Sequence, residues 1–138
     1  MGKLLDLLKA KSAGSPQRRV EGESISIDIV GELAYQEHIR RVSRAADSGE
    51  FEIVLHPEPR NPHDRNAVAV LAEGQPVGYL PREMAAIWQP ALLKAASKGY
   101  AVIGTAEAFG GTAKKKNLGV FGQAPWPGPG IPPRGAMR

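Results

Sequence analysis

The residues best suited to chemistry lie together in the segment HPEPRNPHDRNAVAV, residues 56–70. It holds two histidines, His56 and His63, and the carboxylate of Asp64. Imidazole and carboxylate groups can ligate a metal, transfer protons or hydrogen-bond a ligand. The segment is therefore either a binding or catalytic site or a turn with only a structural role, and the rest of the sequence must decide between them.

A catalytic or metal role has little further support in the sequence. His38, His56 and His63 could bring ligands near Asp64, but the chain has no cysteine and no HExxH, GxSxG or P-loop motif. A histidine and an aspartate in one turn are weak grounds for catalysis. We therefore expect a non-catalytic protein without a metal or cofactor.

The prolines explain why the segment forms a loop. Pro59 and Pro62 restrict the residues before them to extended or turn conformations, and they should stiffen the loop. Asp64 can accept hydrogen bonds from nearby backbone amides in an Asx turn. Asn66, at the start of the next strand, is expected to hydrogen-bond the loop into place. A purely structural role for Asp64 stays open at this point.

Hydrophobic periodicity places this loop between two strands of a small sheet. Alternation and short apolar runs predict strands over 24–31, 51–57, 67–72, 77–80, 99–109 and 116–122. Helical spacing predicts helices over 37–46 and 81–98, the second kinked or split at Pro90. Short strands interrupted by two helices indicate an α+β fold around a strongly bent antiparallel sheet or partly open barrel.

The ends of the chain differ from its middle. We predict a short amphipathic helix and basic linker over 1–19, a folded domain over 20–122, and a disordered Pro/Gly-rich tail over 123–138. The net charge of the chain is +4, but residues 20–109 contain eight basic and thirteen acidic residues. The basic excess therefore lies at the two ends of the chain. Basic ends can add affinity for phosphate backbones, or they can serve solubility alone.

The apolar content and the cysteine count bear on location. The longest apolar stretches fall well short of the roughly 20 residues that a membrane span needs. The absence of cysteine fits a reducing compartment. We expect a cytoplasmic protein without membrane contact.

Three motifs in order resemble the HIRAN domain. They are VGELAY (30–35), VLHPEPRNPHDRNAVAV (54–70) and VGYLPREMA (77–85), and the resemblance covers roughly residues 24–109. It implies a small OB-like barrel that captures the 3′-OH end of single-stranded DNA. It also implies a role in DNA repair or replication, alongside a larger DNA-processing protein.

The resemblance also assigns roles to individual residues. Asp64 would accept the terminal hydroxyl, and as a carboxylate it would repel a 3′-phosphate. Tyr35 would stack on a base, although a half-buried core position is an equal alternative for it. His63 stands where the family has an aromatic residue, Arg82 would hold a phosphate, and Phe109 would contact a further base.

Two features depart from the family pattern and support an alternative. Leu33 stands where the family has an arginine, and the middle of the chain is acidic. Lys114, Lys115 and Lys116 would then have to supply phosphate contacts. The alternative is a protein-interaction module that binds a basic peptide, or its own Pro-rich tail through Trp126.

Overall fold

The computed structural model describes residues 18–138. Its helices are α1 (Gln36–Ala45) and α2 (Arg82–Ser97), and a 3₁₀ turn at Glu32–Tyr35 precedes α1. The strands are β1 (Arg18–Arg19), β2 (Ser24–Ile27), β3 (Glu50–Pro57), β4 (Val68–Ala72), β5 (Gln75–Tyr79), β6 (Tyr100–Ala101), β7 (Ile103–Gly110) and β8 (Leu118–Pro125).

Six strands form one antiparallel sheet in the order β2-β8-β7-β3-β4-β5. The sheet curls until its two edges meet at a single bridge, in which Val30 and Tyr79 exchange two backbone hydrogen bonds of 2.8 Å. No continuous ladder joins β2 to β5 among the described strands. The structure therefore confirms the predicted α+β fold with a strongly bent, partly open barrel and two helices.

The sheet departs from the predicted strands mainly at their ends. The first strand ends at Ile27, and Gly31, in a left-handed conformation (φ 78°), starts the 3₁₀ turn. The last strand extends beyond residue 122 to Pro125, where it pairs with Ser24. The hairpin between β4 and β5 turns at Glu73 and Gly74, both with positive φ.

Both helices pack on the sheet through apolar side chains. Helix α1 buries Ile39 and Val42, and α2 buries Trp88 and Leu92 among others. The predicted split at Pro90 is absent, since α2 runs through it without a break. Pro90 and the residue four positions before it are both exposed, so water can satisfy the carbonyl that lacks a helical partner. None of the described helices is long and apolar enough to cross a membrane.

The prediction of a disordered tail over 123–138 is wrong. Trp126 packs edge-on against the buried Trp88, with ring centroids 5.0 Å apart. The Trp88 indole N–H donates to the carbonyl oxygen of Ala136 (2.7 Å), and Ala136 is fully buried. These interactions offset the ordering entropy that the Pro/Gly-rich composition alone would leave unopposed. The predicted N-terminal helix and most of the basic linker, within residues 1–19, lie outside the described residues.

Candidate nucleic-acid interface

Two tight turns form the loop between β3 and β4. In the first, the N–H of Asn61 donates to the carbonyl oxygen of Glu58 (3.0 Å), which puts Pro59 at the position where proline is favoured. In the second, the N–H of Ala67 donates to the carbonyl oxygen of Asp64 (3.1 Å). The Glu58 N–H donates to the Ala67 carbonyl oxygen (2.9 Å) and closes the base of the loop.

Asn61 organises the centre of the loop. Its Oδ1 accepts the backbone N–H groups of His63 (2.8 Å) and Asp64 (3.2 Å), and its Nδ2 donates to Oε1 of Glu58 (2.9 Å). One side chain thereby holds both turns in a fixed relation. Asparagine suits this position because it offers an acceptor and donors on a short side chain. The sequence predicts a turn where Asn61 precedes Pro62, but not the hydrogen bonds of the Asn61 side chain.

The Glu58 carboxylate anchors the loop to the barrel. It is buried, and its Oε1 also accepts the hydroxyl of Tyr79 on β5 (3.0 Å). Burial, the negative charge of Glu58 and the adjacent Tyr35 raise the pKa of Tyr79 well above its ordinary value. Tyr79 therefore stays a hydrogen-bond donor at any physiological pH. Sequence reasoning did not predict this bond, whose two residues lie 21 positions apart.

Asp64 lies at the edge of the loop with its carboxylate partly accessible. Its Oδ1 accepts the backbone N–H of Asn66 (2.9 Å), and its Oδ2 lies 3.7 Å from Nε of Arg82. The side chain of Asp64 is 23% exposed and that of Arg82 is 79% exposed. Arg82 also donates to the carbonyl oxygen of His63 (3.3 Å). A fixed carboxylate thus lies beside an exposed cation at the surface.

The structure does not show the predicted loop-structuring hydrogen bonds from the Asn66 side chain. Its backbone N–H bonds Asp64, whereas among the described residues its exposed side chain makes no hydrogen bond. Gln89 of α2 holds the loop instead, since its Nε2 donates to the carbonyl oxygens of Arg65 (2.8 Å) and Ala67 (2.9 Å). Pro62 is exposed and lies between the two turns.

Phe109 lies in a separate cluster on the sheet. Its ring stacks on Phe121 with centroids 4.3 Å apart, and the Lys115 ammonium lies 4.3 Å from the Phe109 centroid. The ring covers Gly119, where an added Cβ would lie 2.3 Å from it. The neighbouring Leu118 exchanges hydrogen bonds of 2.8 and 2.9 Å with Gln36, the residue after Tyr35.

The predicted site residues therefore fall into two groups. Tyr35 lies beside Tyr79, whose hydroxyl bonds Glu58 at the base of the loop, and the same loop carries His63 and Asp64. Arg82 contacts both of these loop residues. Phe109 and Lys115 belong to the second group, on the far side of the Gln36 contact. The loop adds two exposed arginines, Arg60 and Arg65. Whether any of these residues contacts DNA stays a prediction.

The remaining histidines have structural surroundings. Arg41 donates to Nδ1 of His38 (2.6 Å), so Nε2 of His38 carries the proton that it donates to Ala72 (2.7 Å). His56 is buried without a partner for Nε2, and desolvation lowers its pKa against the opposing charge of Glu58. No group of three potential metal ligands occurs among residues 18–138.

Comparison with known proteins places the chain in a family. The model of the HIRAN domain matches residues 43–114, just over half of the chain. Two solved structures are similar. The HIRAN domain of human HLTF shares 24% identity (TM-score 0.47; 75% of this chain and 74% of that chain covered), and a protein from Lactobacillus plantarum shares 19% (TM-score 0.46; 74% and 95%). No curated protein matches. The chain belongs to the HIRAN domain family, whose members are generally binding modules linked to DNA.

Proposed function

We propose that the protein binds single-stranded DNA and recognises its 3′-OH end at the loop between β3 and β4. The observation that carries this proposal is the Asp64 carboxylate, which the loop holds at the surface beside the exposed Arg82. Membership of the HIRAN family supports DNA as the ligand class. The proposed action is capture, without a chemical step.

The carboxylate has capacity left for a terminal hydroxyl. An ionised Asp offers about four lone-pair sites, and only one well-formed hydrogen bond, from Asn66, uses them among the described residues. A 3′-OH would donate to Asp64, whereas a 3′-phosphate would bring a second negative charge next to it. This difference in charge is the basis for discrimination between the two ends.

Arg82 is free to bind a phosphate. Its contact with Asp64 is long, at 3.7 Å, and its side chain is 79% exposed. Exposed ion pairs of this kind contribute only about 0–1 kcal/mol, so the guanidinium can leave Asp64 at little cost. Arg60 and Arg65 would add phosphate contacts from the same loop.

Tyr35 and His63 are the surfaces proposed for the last base. Tyr35 is half-buried at the end of the 3₁₀ turn, and His63 is exposed on the loop. Leu33, in place of the family's arginine, is 71% exposed and offers an apolar contact where the family has a charge. We therefore expect fewer phosphate contacts and weaker binding that depends strongly on salt.

Fluorescence anisotropy with short labelled single strands tests the proposal. Two strands of equal sequence, ending in 3′-OH or 3′-phosphate, are compared at two salt concentrations with the wild type and Asp64→Asn. The asparagine keeps the size of the side chain and the acceptor for Asn66, but removes the charge. Asp47→Asn is the matched control, because Asp47 is exposed in the turn after α1.

We expect the wild type to prefer the 3′-OH strand and Asp64→Asn to lose most of that preference. The control variant should behave as the wild type. Equal binding of both ends by the wild type would refute the proposal, and binding lost at moderate salt would then point to the basic ends of the chain. Action in the cytoplasm, in repair or replication beside a larger DNA-processing protein, is part of the same proposal.

A further inference from the structure

The outer face of the sheet carries an acidic surface with an aromatic centre. Cross-strand register puts Phe121 opposite Glu107, Glu107 opposite Glu50, and Ser26 opposite Gln123. Directly opposed residues point to the same side of a sheet, so these side chains share one face. A shallow cleft of about 280 Å³ lies over them. We call this surface, with Asp28 just beyond the end of β2, the acidic face.

Arg138 already occupies one end of the acidic face. Its guanidinium lies 5.0 Å from the Phe121 ring centroid, and its Nε lies 3.1 Å from Oδ1 of Asp28. Its backbone N–H donates to the carbonyl oxygen of Ser26 (2.9 Å). The residue therefore makes a cation–π contact, an ion pair and a main-chain hydrogen bond at once.

The main-chain contact has a geometric cause. In the six-stranded sheet, β2 is an edge strand with β8 as its neighbour. An edge strand presents unpaired N–H and carbonyl groups, and an added peptide can bond to them. Arg138 makes the first such bond, at Ser26. The edge gives general affinity for an extended peptide, and the Phe121–Asp28 pair gives selectivity for arginine.

The rest of the acidic face holds two carboxylates, Glu50 and Glu107, and the Lys115 ammonium lies over the Phe109 ring that stacks on Phe121. Glu50 and Glu107 oppose each other directly, and like charges in this arrangement are destabilising. Among residues 18–138, neither carboxylate has a basic group within 4 Å, whereas Glu52 is paired with Arg19. A second basic residue of a ligand would relieve this repulsion. The same carboxylates would repel a nucleic acid.

We propose that the acidic face binds an extended, arginine-containing peptide of a partner protein, and that Arg138 occupies the same place until the partner displaces it. The proposal is independent of DNA binding at the loop. The intramolecular residue competes at an effective concentration in the millimolar range, so the site is masked in the resting chain. Removal of the Arg138 side chain should unmask it.

A labelled peptide with the sequence of residues 130–138, GIPPRGAMR, is the probe. Its anisotropy is measured with the full chain as wild type and as Arg138→Ala. We expect Arg138→Ala to bind the peptide at least about tenfold more tightly than the wild type does. A peptide with alanine in place of its last arginine should not bind either protein.

Two double variants locate the binding. Arg138→Ala with Asp28→Asn should lose the peptide, and Arg138→Ala with Asp47→Asn, which removes a charge elsewhere, should keep it. Equal binding by wild type and Arg138→Ala would overturn the proposal, as would full binding with Asp28→Asn. If Arg138→Ala instead gains affinity for single-stranded DNA and none for the peptide, the face belongs to nucleic acid and the proposal is wrong.

Discussion

From the packing of Trp126 on Trp88 we predict how much this contact contributes to the stability of the fold. Trp126 is half-buried at the start of the segment that follows β8, and it covers one side of the fully buried Trp88. A buried aromatic side chain removes about 150–250 Å² from water, so a half-buried one removes about 100 Å². At about 25 cal/mol per Å² this contributes about 2.5 kcal/mol, and the edge-to-face pair adds about 0.5–1.5 kcal/mol.

We therefore expect Trp126→Ala to lower the free energy of unfolding by about 3 kcal/mol in urea denaturation. Ile131→Ala is the control, because Ile131 lies in the same segment but is 90% exposed. Its truncation should change stability by less than about 0.5 kcal/mol. The chain has two tryptophans, so Trp126→Ala leaves Trp88 alone, and its emission should shift to the red as water reaches it.

A loss below about 1 kcal/mol, with Trp88 emission unchanged, would refute this reasoning. The segment after β8 would then not cover the core, and it would be disordered, as its Pro/Gly-rich composition predicts. If Ile131→Ala cost as much as Trp126→Ala, the effect would come from general apolar content and not from the packing on Trp88.

Two further predictions concern pH and the closure of the barrel. Burial lowers the pKa of His56 below its ordinary value of 6.5, so the unfolded chain binds the proton more readily. Stability should fall as pH drops below 6.5, and His56→Leu should flatten that part of the profile; an unchanged profile would mean that His56 is accessible. At Gly78, an added Cβ would lie 2.5 Å from Ile29 and 2.8 Å from the Val30 carbonyl oxygen. Gly78→Ala should cost about 1–3 kcal/mol and speed amide exchange at Tyr79, whereas neutral behaviour would show that the edges do not meet there.

The sequence is informative where local pattern decides structure. The alternation in SISI predicts a strand with one buried face, and the structure buries its isoleucine side. The continuous apolar run VAVLA predicts a strand buried on both faces, and all five residues are buried. The three motifs predict the family, and the structure brings two of them together at the bond between Glu58 and Tyr79. That bond reaches across β4, which lies between β3 and β5, so no local pattern could indicate it.

The errors share one physical cause, which is that local rules do not include tertiary surroundings. The Pro/Gly-rich composition after residue 122 indicates that ordering this segment costs conformational entropy. It does not indicate that the segment packs against Trp88 or that Ala136 accepts a hydrogen bond there. The rule for Pro90 predicts a kink or a split, and the split is absent because the freed carbonyl can face water. Asn66 is the local candidate for holding the loop, but Asn61 and the distant Gln89 hold it.

The distribution of charge bears on both proposals. The middle of the chain is acidic, which counts against a DNA-binding surface if the charge is taken as a whole. The structure places Glu50 and Glu107 opposite each other on the outer face of the sheet, with Asp28 beside them. A cationic peptide at the sheet would therefore meet carboxylates.

The loop between β3 and β4 has the opposite character. Glu58 is buried in hydrogen bonds and Asp64 faces Arg82, while the side chains of Arg60, Arg65 and Arg82 are exposed. A polyanion at the loop therefore meets mainly guanidinium groups. Each proposed ligand has a surface of complementary sign, so the net charge of the middle does not decide between them.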